Sequence, residues 1–425
     1  MKRLGVIALA FVLGWLAAML TAGTPYAGDI KRVIGPGTLV QLQTPWGMRT
    51  AFAPFWESWQ LVDAIFFDRD RIDHGKMIQG AIDGMLATLD DKYTFYQEPD
   101  KAAQTTDDMA GKTAGIGIFL RFTDGRAYVW KLIPDAPASK SGVRQNDEIL
   151  QVDDQLVATL IADKSVDEAA TALSARIRGK KGTAVTLVVQ TNGDTARTLT
   201  IMRDDIILPS VEWQRLEGNV AYINITEFKR NTPDVLAEGM RAFAETPVTA
   251  MILDLRRTPG GLLDSAQRVL GFFYDGTALW EERQAGALIE LTTTPPESDF
   301  SRVTVPLFIL VDERSASASE VVAGALRDRY PNTLLIGTQT FGKGIVQNIY
   351  PLSNGGTVRL TMSQWLTPNK LRIHGTGLTP DIMVNDDPAA RTDAPCVADR
   401  MPKAGDTLCR DPQLTTVLGL ISALR

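Results

Sequence analysis

Four short apolar runs, 220–225, 249–255, 307–311 and 334–336, are separated by segments with helical spacing at 232–244, 262–273 and 318–328. The runs are of strand length and largely β-branched. Strands alternating with helices in this way argue an α/β layer fold over 205–385. The rest of the chain has a different character, and its 425 residues allow two to three domains. With 44% hydrophobic and 22% charged residues the chain can bury a core of ordinary size. Its net charge is −6 and no long Lys/Arg run interrupts it, which excludes the electrostatic footprint of a nucleic-acid partner.

Residues 1–27 stand apart. A basic head, Met1-Lys2-Arg3, precedes an uncharged apolar stretch from Leu4 to Gly23. This is either a signal peptide or a membrane anchor, and both imply export to the cell envelope or periplasm. As an anchor, this segment would bring the chain into contact with the membrane. Residues 28–53, rich in Gly, Pro and Thr, read as a linker. In 54–105 apolar residues recur at three- and four-residue spacing, through Trp56, Trp59, Ile65, Ile82 and Leu86. We read this as a helical unit that packs on the rest or pairs with a second copy, giving a homo-oligomer. Residues 386–425 form a C-terminal tail, Pro- and Asp-rich and ending in a short apolar helix. The tail holds both cysteines, Cys396 and Cys409. In an exported chain they are disulfide candidates, and no metal site is expected around them.

Between the helical unit and the α/β segment, residues 106–204 show another order. A glycine-containing run, Gly115-Ile116-Gly117-Ile118, leads to a strand near 127–132, a short helix ending at Gly142 and a strand near 149–153. A helix over 169–177, a turn and a strand at 185–190 follow. Glycines let backbone N–H groups converge on a carboxylate without steric cost. A peptide beside that loop can then add a strand to the sheet edge. The order resembles a PDZ domain of the permuted bacterial kind, with Gly115, Ile116, Gly117 and Ile118 as the carboxylate-binding loop. Arg178, just after the helix, is either a solvated residue beside a turn or a reader of the carboxylate.

Three motifs in the α/β segment can carry chemistry. In Val311-Asp312-Glu313-Arg314-Ser315-Ala316-Ser317-Ala318-Ser319-Glu320 a strand runs through a small-residue turn into a helix. A hydroxyl there meets free N–H groups that favour a developing negative charge. Ser317 and Glu320 equally satisfy a capping box, so a structural role is open on this motif alone. In Asp254-Leu255-Arg256-Arg257-Thr258-Pro259-Gly260-Gly261 a turn follows a strand and could aim N–H groups at an oxyanion. Gly337-Thr338-Gln339-Thr340-Phe341-Gly342-Lys343 approaches a phosphate-binding loop. It has Gly344 where Ser or Thr should hold magnesium, and a strand rather than a helix follows. No nucleotide is therefore expected here, and the chain as a whole is read as needing no cofactor. Of the two histidines, only His374 lies where a Ser-His-Asp triad could use it. A lysine serves instead if an apolar pocket, here Phe341, Ile345 and Val346, lowers its pKa.

Together these motifs resemble the C-terminal processing peptidases, or tail-specific proteases, over about residues 55–382. The resemblance implies a Clp-protease/crotonase-like core with an inserted PDZ domain. It implies serine endopeptidase activity through an acyl-enzyme, on protein substrates with free, apolar C-termini. It assigns Ser317 as nucleophile, Lys343 as general base and Gln347 as support for the lysine. It also implies an oxyanion hole from Gly260, Gly261 and Ala318, and a supporting role for Asp328. Two departures stand out. Arg257-Thr258 replaces a pair of asparagines before Pro-Gly-Gly, and the Ser–Lys spacing is one residue longer than expected, an insertion we place at Arg329 or Tyr330. A PDZ-bearing binding protein with an inactive core is the competing reading.

Overall fold

The computed structural model describes residues 48–191, 193–207, 209–296, 304–385, 393–397 and 408–424. The leader, 1–27, and most of the linker lie outside the described residues. Among the described residues no helix is long and apolar enough to cross a membrane. The chain divides into two compact units, Met1–Ala102 with Gln347–Thr361, and Ala103–Val346 with Met362–Arg425.

In the first unit, helices Met48–Ala51 and Ala53–Ile65 start inside the segment read as linker. Pro54 sits in the first turn, where its missing N–H costs nothing. Helix His74–Ala87 begins at Asp73, whose side chain accepts from Lys76 N–H. The Trp59 ring stacks on His74, which bonds Asp63 at 2.8 Å. Ala53–Ile65 buries none of its side chains, and Phe67 is 99% exposed. Strand Phe95–Gln97 pairs antiparallel with Thr357, Val358 and Arg359.

The second unit contains two cores. The first is a sheet in the order Ile118–Thr123, Arg126–Leu132, Asp147–Val152, Ala184–Thr191, Arg197–Met202, with helix Val166–Ile177 packed against it. Val129, Ile149, Leu173 and Leu187 fill its interior. The chain enters and leaves this domain through an antiparallel pair, Lys112–Gly115 with Asp204–Ile207.

The second core is a six-stranded sheet: Val211–Leu216, Val220–Ile225, Ala250–Asp254, Leu307–Val311, Thr333–Gly337 and Ile382–Met383. Only the first pair is antiparallel. Side chains alternate between faces along each strand. Ile223, Leu253 and Ile309 face helices Thr232–Ala244, Leu263–Gly271 and Ala318–Arg329. Tyr222, Ile252 and Leu310 face the tail, where Ala394, Val397, Leu414, Val417 and Ile421 cover them. Cover on both faces is why these strands read as unbroken apolar runs. The tail is therefore a structural layer. Cys396 and Cys409 are bonded across the strand pair Asp393–Pro395 and Leu408–Arg410, just before helix Pro412–Ala423.

Candidate active site

Strand Leu307–Val311 delivers the chain into the turn that holds Ser317. Asp312 organises its start, accepting from Arg257 N–H at 2.8 Å and Ser315 N–H at 3.0 Å. Ser315 and Ser319 are fully buried, and their hydroxyls donate to the Leu255 and Thr258 carbonyls at 2.8 and 2.7 Å. Ser317 is only half-buried, so of the three serines it alone keeps access to a substrate. Its backbone lies at φ 56° and ψ −117°, a conformation that L-residues rarely adopt. Such strain persists only where the surroundings enforce it, and it collects at functional sites.

Those surroundings are the Pro-Gly-Gly turn. Ala316 N–H donates to the Thr258 carbonyl at 3.0 Å, and the Thr258 hydroxyl donates to the Ile225 carbonyl. Thr258 thus ties the turn to the strand below, while Arg257 is exposed at φ 60°. Gly260, at φ +103°, packs so tightly that a Cβ on it would lie 2.8 Å from Ser317 Cβ and 2.9 Å from Ala318 N. Gly261 abuts Phe228, whose carbonyl accepts from Leu262 N–H at 2.7 Å and whose N–H donates to the Gly260 carbonyl at 2.8 Å. Ala318 opens the helix, so its N–H belongs to the first turn, which lacks intrahelical acceptors.

Glu320 joins this turn to the lysine loop. It is fully buried and accepts four hydrogen bonds. They come from Ser317 N–H at 2.9 Å, the Thr340 hydroxyl at 2.6 Å, Gly342 N–H at 2.7 Å and Lys343 N–H at 2.9 Å. Burial pushes its carboxyl above the usual range, and the four donors pull the other way. Lys343 is half-buried in the second unit, together with Ser317. Ile345 beside it is buried, whereas Phe341 is half exposed, so Phe341 contributes less to an apolar pocket than its sequence position suggests. The 373–377 loop lies against Gly342 and Gly344. Gly375 N–H donates to the Gly342 carbonyl at 2.9 Å, and a Cβ on Gly344 would meet His374 N at 2.8 Å.

Residues 219–384 match the model of peptidase family S41, and residues 114–202 match a PDZ domain. The carboxy-terminal processing protease CtpA of Bacillus subtilis is 33% identical over 339 residues, covering 79% of this chain and 70% of that protein. The chain belongs to peptidase family S41. A probable CtpA-like serine protease of Staphylococcus epidermidis is 35% identical over 310 residues, 73% of this chain. The S41 chain spans 61% of that relative's length. A putative S41 protease from Bacteroides fragilis, 18% identical, superimposes with a TM-score of 0.54 over 87% of this chain and 97% of its own, and so shares the fold.

The remaining candidates each have partners of their own. Gln347 belongs to the first unit, where its amide donates to the Tyr93 carbonyl. Asp328 sits near the far end of the Ser317 helix, about 15 Å along its axis. It accepts from the Thr367 hydroxyl at 2.6 Å and Asn369 N–H at 2.8 Å, so it fixes the 367–369 loop. Arg329 closes the helix and Tyr330 is buried against Phe273. Neither is a loose insertion.

In the PDZ domain, Gly115 pairs with Asp204 in the entry strands. Ile116 is buried and its carbonyl accepts from Ala138 N–H at 2.8 Å. The Gly117 carbonyl accepts from Ile133 N–H at 3.0 Å. At φ +80°, with a Cβ position only 2.3 Å from Ala136 Cβ, residue 117 must be glycine. Ile118 starts an edge strand whose other side has no strand partner among the described residues. Arg178 is exposed at the end of helix Val166–Ile177. A second arginine there gave no signal in the sequence. Arg203 is buried and caps that helix end, donating to the Ile177 and Arg176 carbonyls at 2.8 and 3.0 Å.

Arg256, in the sequence simply one residue of the turn motif, has a structural role of its own. It is buried between Asp254, at 2.9 Å, and Asp411, at 2.8 Å, with Tyr222 bonding Asp254 at 2.7 Å. Asp411 is the N-cap of the C-terminal helix. The tail is thereby anchored one residue before the Arg257-Thr258-Pro259-Gly260-Gly261 turn.

Proposed function

We propose that the chain is a serine endopeptidase that cuts exported proteins after gripping their free C-termini. Ser317 Oγ attacks the scissile carbonyl carbon while the neutral Lys343 amine takes its proton. The oxyanion forms against the N–H groups of Gly260, Gly261 and Ala318. Lys343 returns the proton to the leaving amine, and water then releases the acyl group from Ser317. The observation that carries this reading is the serine turn. Two of its three hydroxyls are spent on backbone carbonyls, and the third is held in a strained, accessible conformation against Gly260.

Recognition of the chain end falls to the loop Gly115-Ile116-Gly117-Ile118 and the open edge of Ile118–Thr123. Export is supported by the uncharged stretch from Leu4 to Gly23, and by a disulfide, which persists in oxidising compartments. A homo-oligomer is supported by Ala53–Ile65, which buries nothing and carries Phe55, Trp56, Leu61 and Ile65 exposed. It has no Lys or Arg to favour an anionic membrane surface. Hydrolysis of an unfolded protein by the wild-type chain, lost in Ser317→Ala, tests the catalytic reading. A chain that binds C-termini but neither hydrolyses protein nor reacts with a fluorophosphonate would be the PDZ-bearing binding protein instead.

A further inference from the structure

We infer that Glu320 is a positioning residue that holds the serine turn and the lysine loop in register; this rests on the Ser317/Lys343 reading. Local helix chemistry explains only part of its geometry. A Glu at the third helical position reaching back to the N-cap N–H is half of a capping box, and that accounts for the bond to Ser317 N–H. The chain contains such a box for comparison, at Ser165 and Glu168. There Glu168 is exposed and, among the described residues, its bonds go to Ser165, at 2.9 Å to its N–H and 2.8 Å to its hydroxyl. Glu320 differs in both respects. It is fully buried, and three of its four donors come from residues 340–343, distant in sequence.

The donors are divided between its two oxygens. Oε1 receives the Thr340 hydroxyl and Gly342 N–H, and Oε2 receives Ser317 N–H and Lys343 N–H. Oε2 alone therefore bonds the main chain of both reacting residues. Thr340 Oγ1 also accepts from Leu378 N–H at 2.7 Å, which leaves its single proton for Glu320. All four partners donate, so the site is built for a carboxylate, an acceptor only. An amide of the same shape would turn an NH2 group towards two N–H or O–H donors. Two bonds would be lost and the donors pushed apart, and misplacement by about 1 Å costs a reaction of this kind roughly 100-fold.

The test is Glu320→Gln in the full chain, with kcat and KM measured on a protein substrate and folding followed by circular dichroism. We expect a folded protein whose kcat falls about 100-fold while KM stays within about threefold. A kcat within threefold of wild type, or a rise in KM at constant kcat, overturns the inference. Should Glu320→Gln fail to fold, Thr340→Val and Thr340→Ser decide. Loss of the hydroxyl should lower kcat about tenfold and the serine should restore most of it; equal activity of the two variants would count against Glu320. Ser317→Ala separates this claim from the one beneath it. If that variant stays active, the Ser/Lys reading fails; if it is inactive while Glu320→Gln is not, only the positioning role fails.

Discussion

Gly260→Ala is the substitution whose effect can be worked most fully from the structure. A Cβ at this position would lie 2.7 Å from the Ala316 carbonyl oxygen, 2.8 Å from Ser317 Cβ and 2.9 Å from Ala318 N. Carbon contacts prefer roughly 3.5–4.0 Å, so the Pro-Gly-Gly turn and the serine turn must separate by about 0.8 Å. Both sides resist. Thr258 is bonded to Ala316 and Ser319, and the Gly260 carbonyl is bonded to Phe228 N–H. The residue also sits at φ +103°, where an L side chain adds about 1–3 kcal/mol of strain. We expect kcat/KM to fall roughly 100-fold, because the oxyanion donors move away from the nucleophile. Stability should fall by about 1–3 kcal/mol. Hydrolysis of an unfolded protein, with urea melts on the same preparations, measures both. Gly419→Ala is the control: it lies in the C-terminal helix with nothing within 4 Å of its Cβ position. It should raise stability by about 0.5–1 kcal/mol and leave activity alone. Near wild-type activity of Gly260→Ala would refute the packing argument and the placement of the oxyanion hole.

Lys343→Arg keeps the charge but cannot release a proton near neutral pH, so it should be inactive, whereas His374→Ala should retain most activity. A base that must lose a proton also predicts a rate that climbs with pH; a rate insensitive to pH from 6 to 9, or loss of activity only in His374→Ala, would count against the lysine. Asp411→Asn removes one of the two carboxylates on buried Arg256 and should cost about 3 kcal/mol in a urea melt. A cost below about 0.5 kcal/mol would show that the tail is not held there. A protein substrate with an amidated C-terminus should be cut more slowly than the free acid, because the carboxylate-binding donors are left poorly matched. Arg178→Ala should narrow that difference if Arg178 reads the chain end, and equal rates on the two wild-type substrates would remove the tail-specific reading.

The sequence carried the α/β alternation clearly because the core strands are covered on both faces. Alternation within strand Val220–Ile225 is invisible in its residue types, since Tyr222 and Ile223 are buried on opposite sides. What covers the second face was not legible. The tail's apolar residues were visible, but its docking runs through the Arg256–Asp411 pair, 155 residues apart in sequence. Arg256 read simply as part of a turn motif. Glu320 was half legible for the opposite reason. A local pattern, the capping box, explained it sufficiently, and the bonds from Thr340, Gly342 and Lys343 exist only in the folded chain. Helix Met48–Ala51 was hidden by its Gly- and Pro-rich approach. The departure at Arg257-Thr258 becomes intelligible with the hydrogen bonds in view, because Thr258 is the residue that binds the two turns together.

The central claim is that Ser317 is the nucleophile, and covalent labelling tests it most directly. The wild-type chain would be treated with a fluorophosphonate, digested and mapped by mass spectrometry. The account predicts a single modification, on Ser317, whose rate falls sharply in Lys343→Arg and which is absent in Ser317→Ala. Modification of Ser315 or Ser319, or no labelling by a chain that still hydrolyses protein, would contradict it.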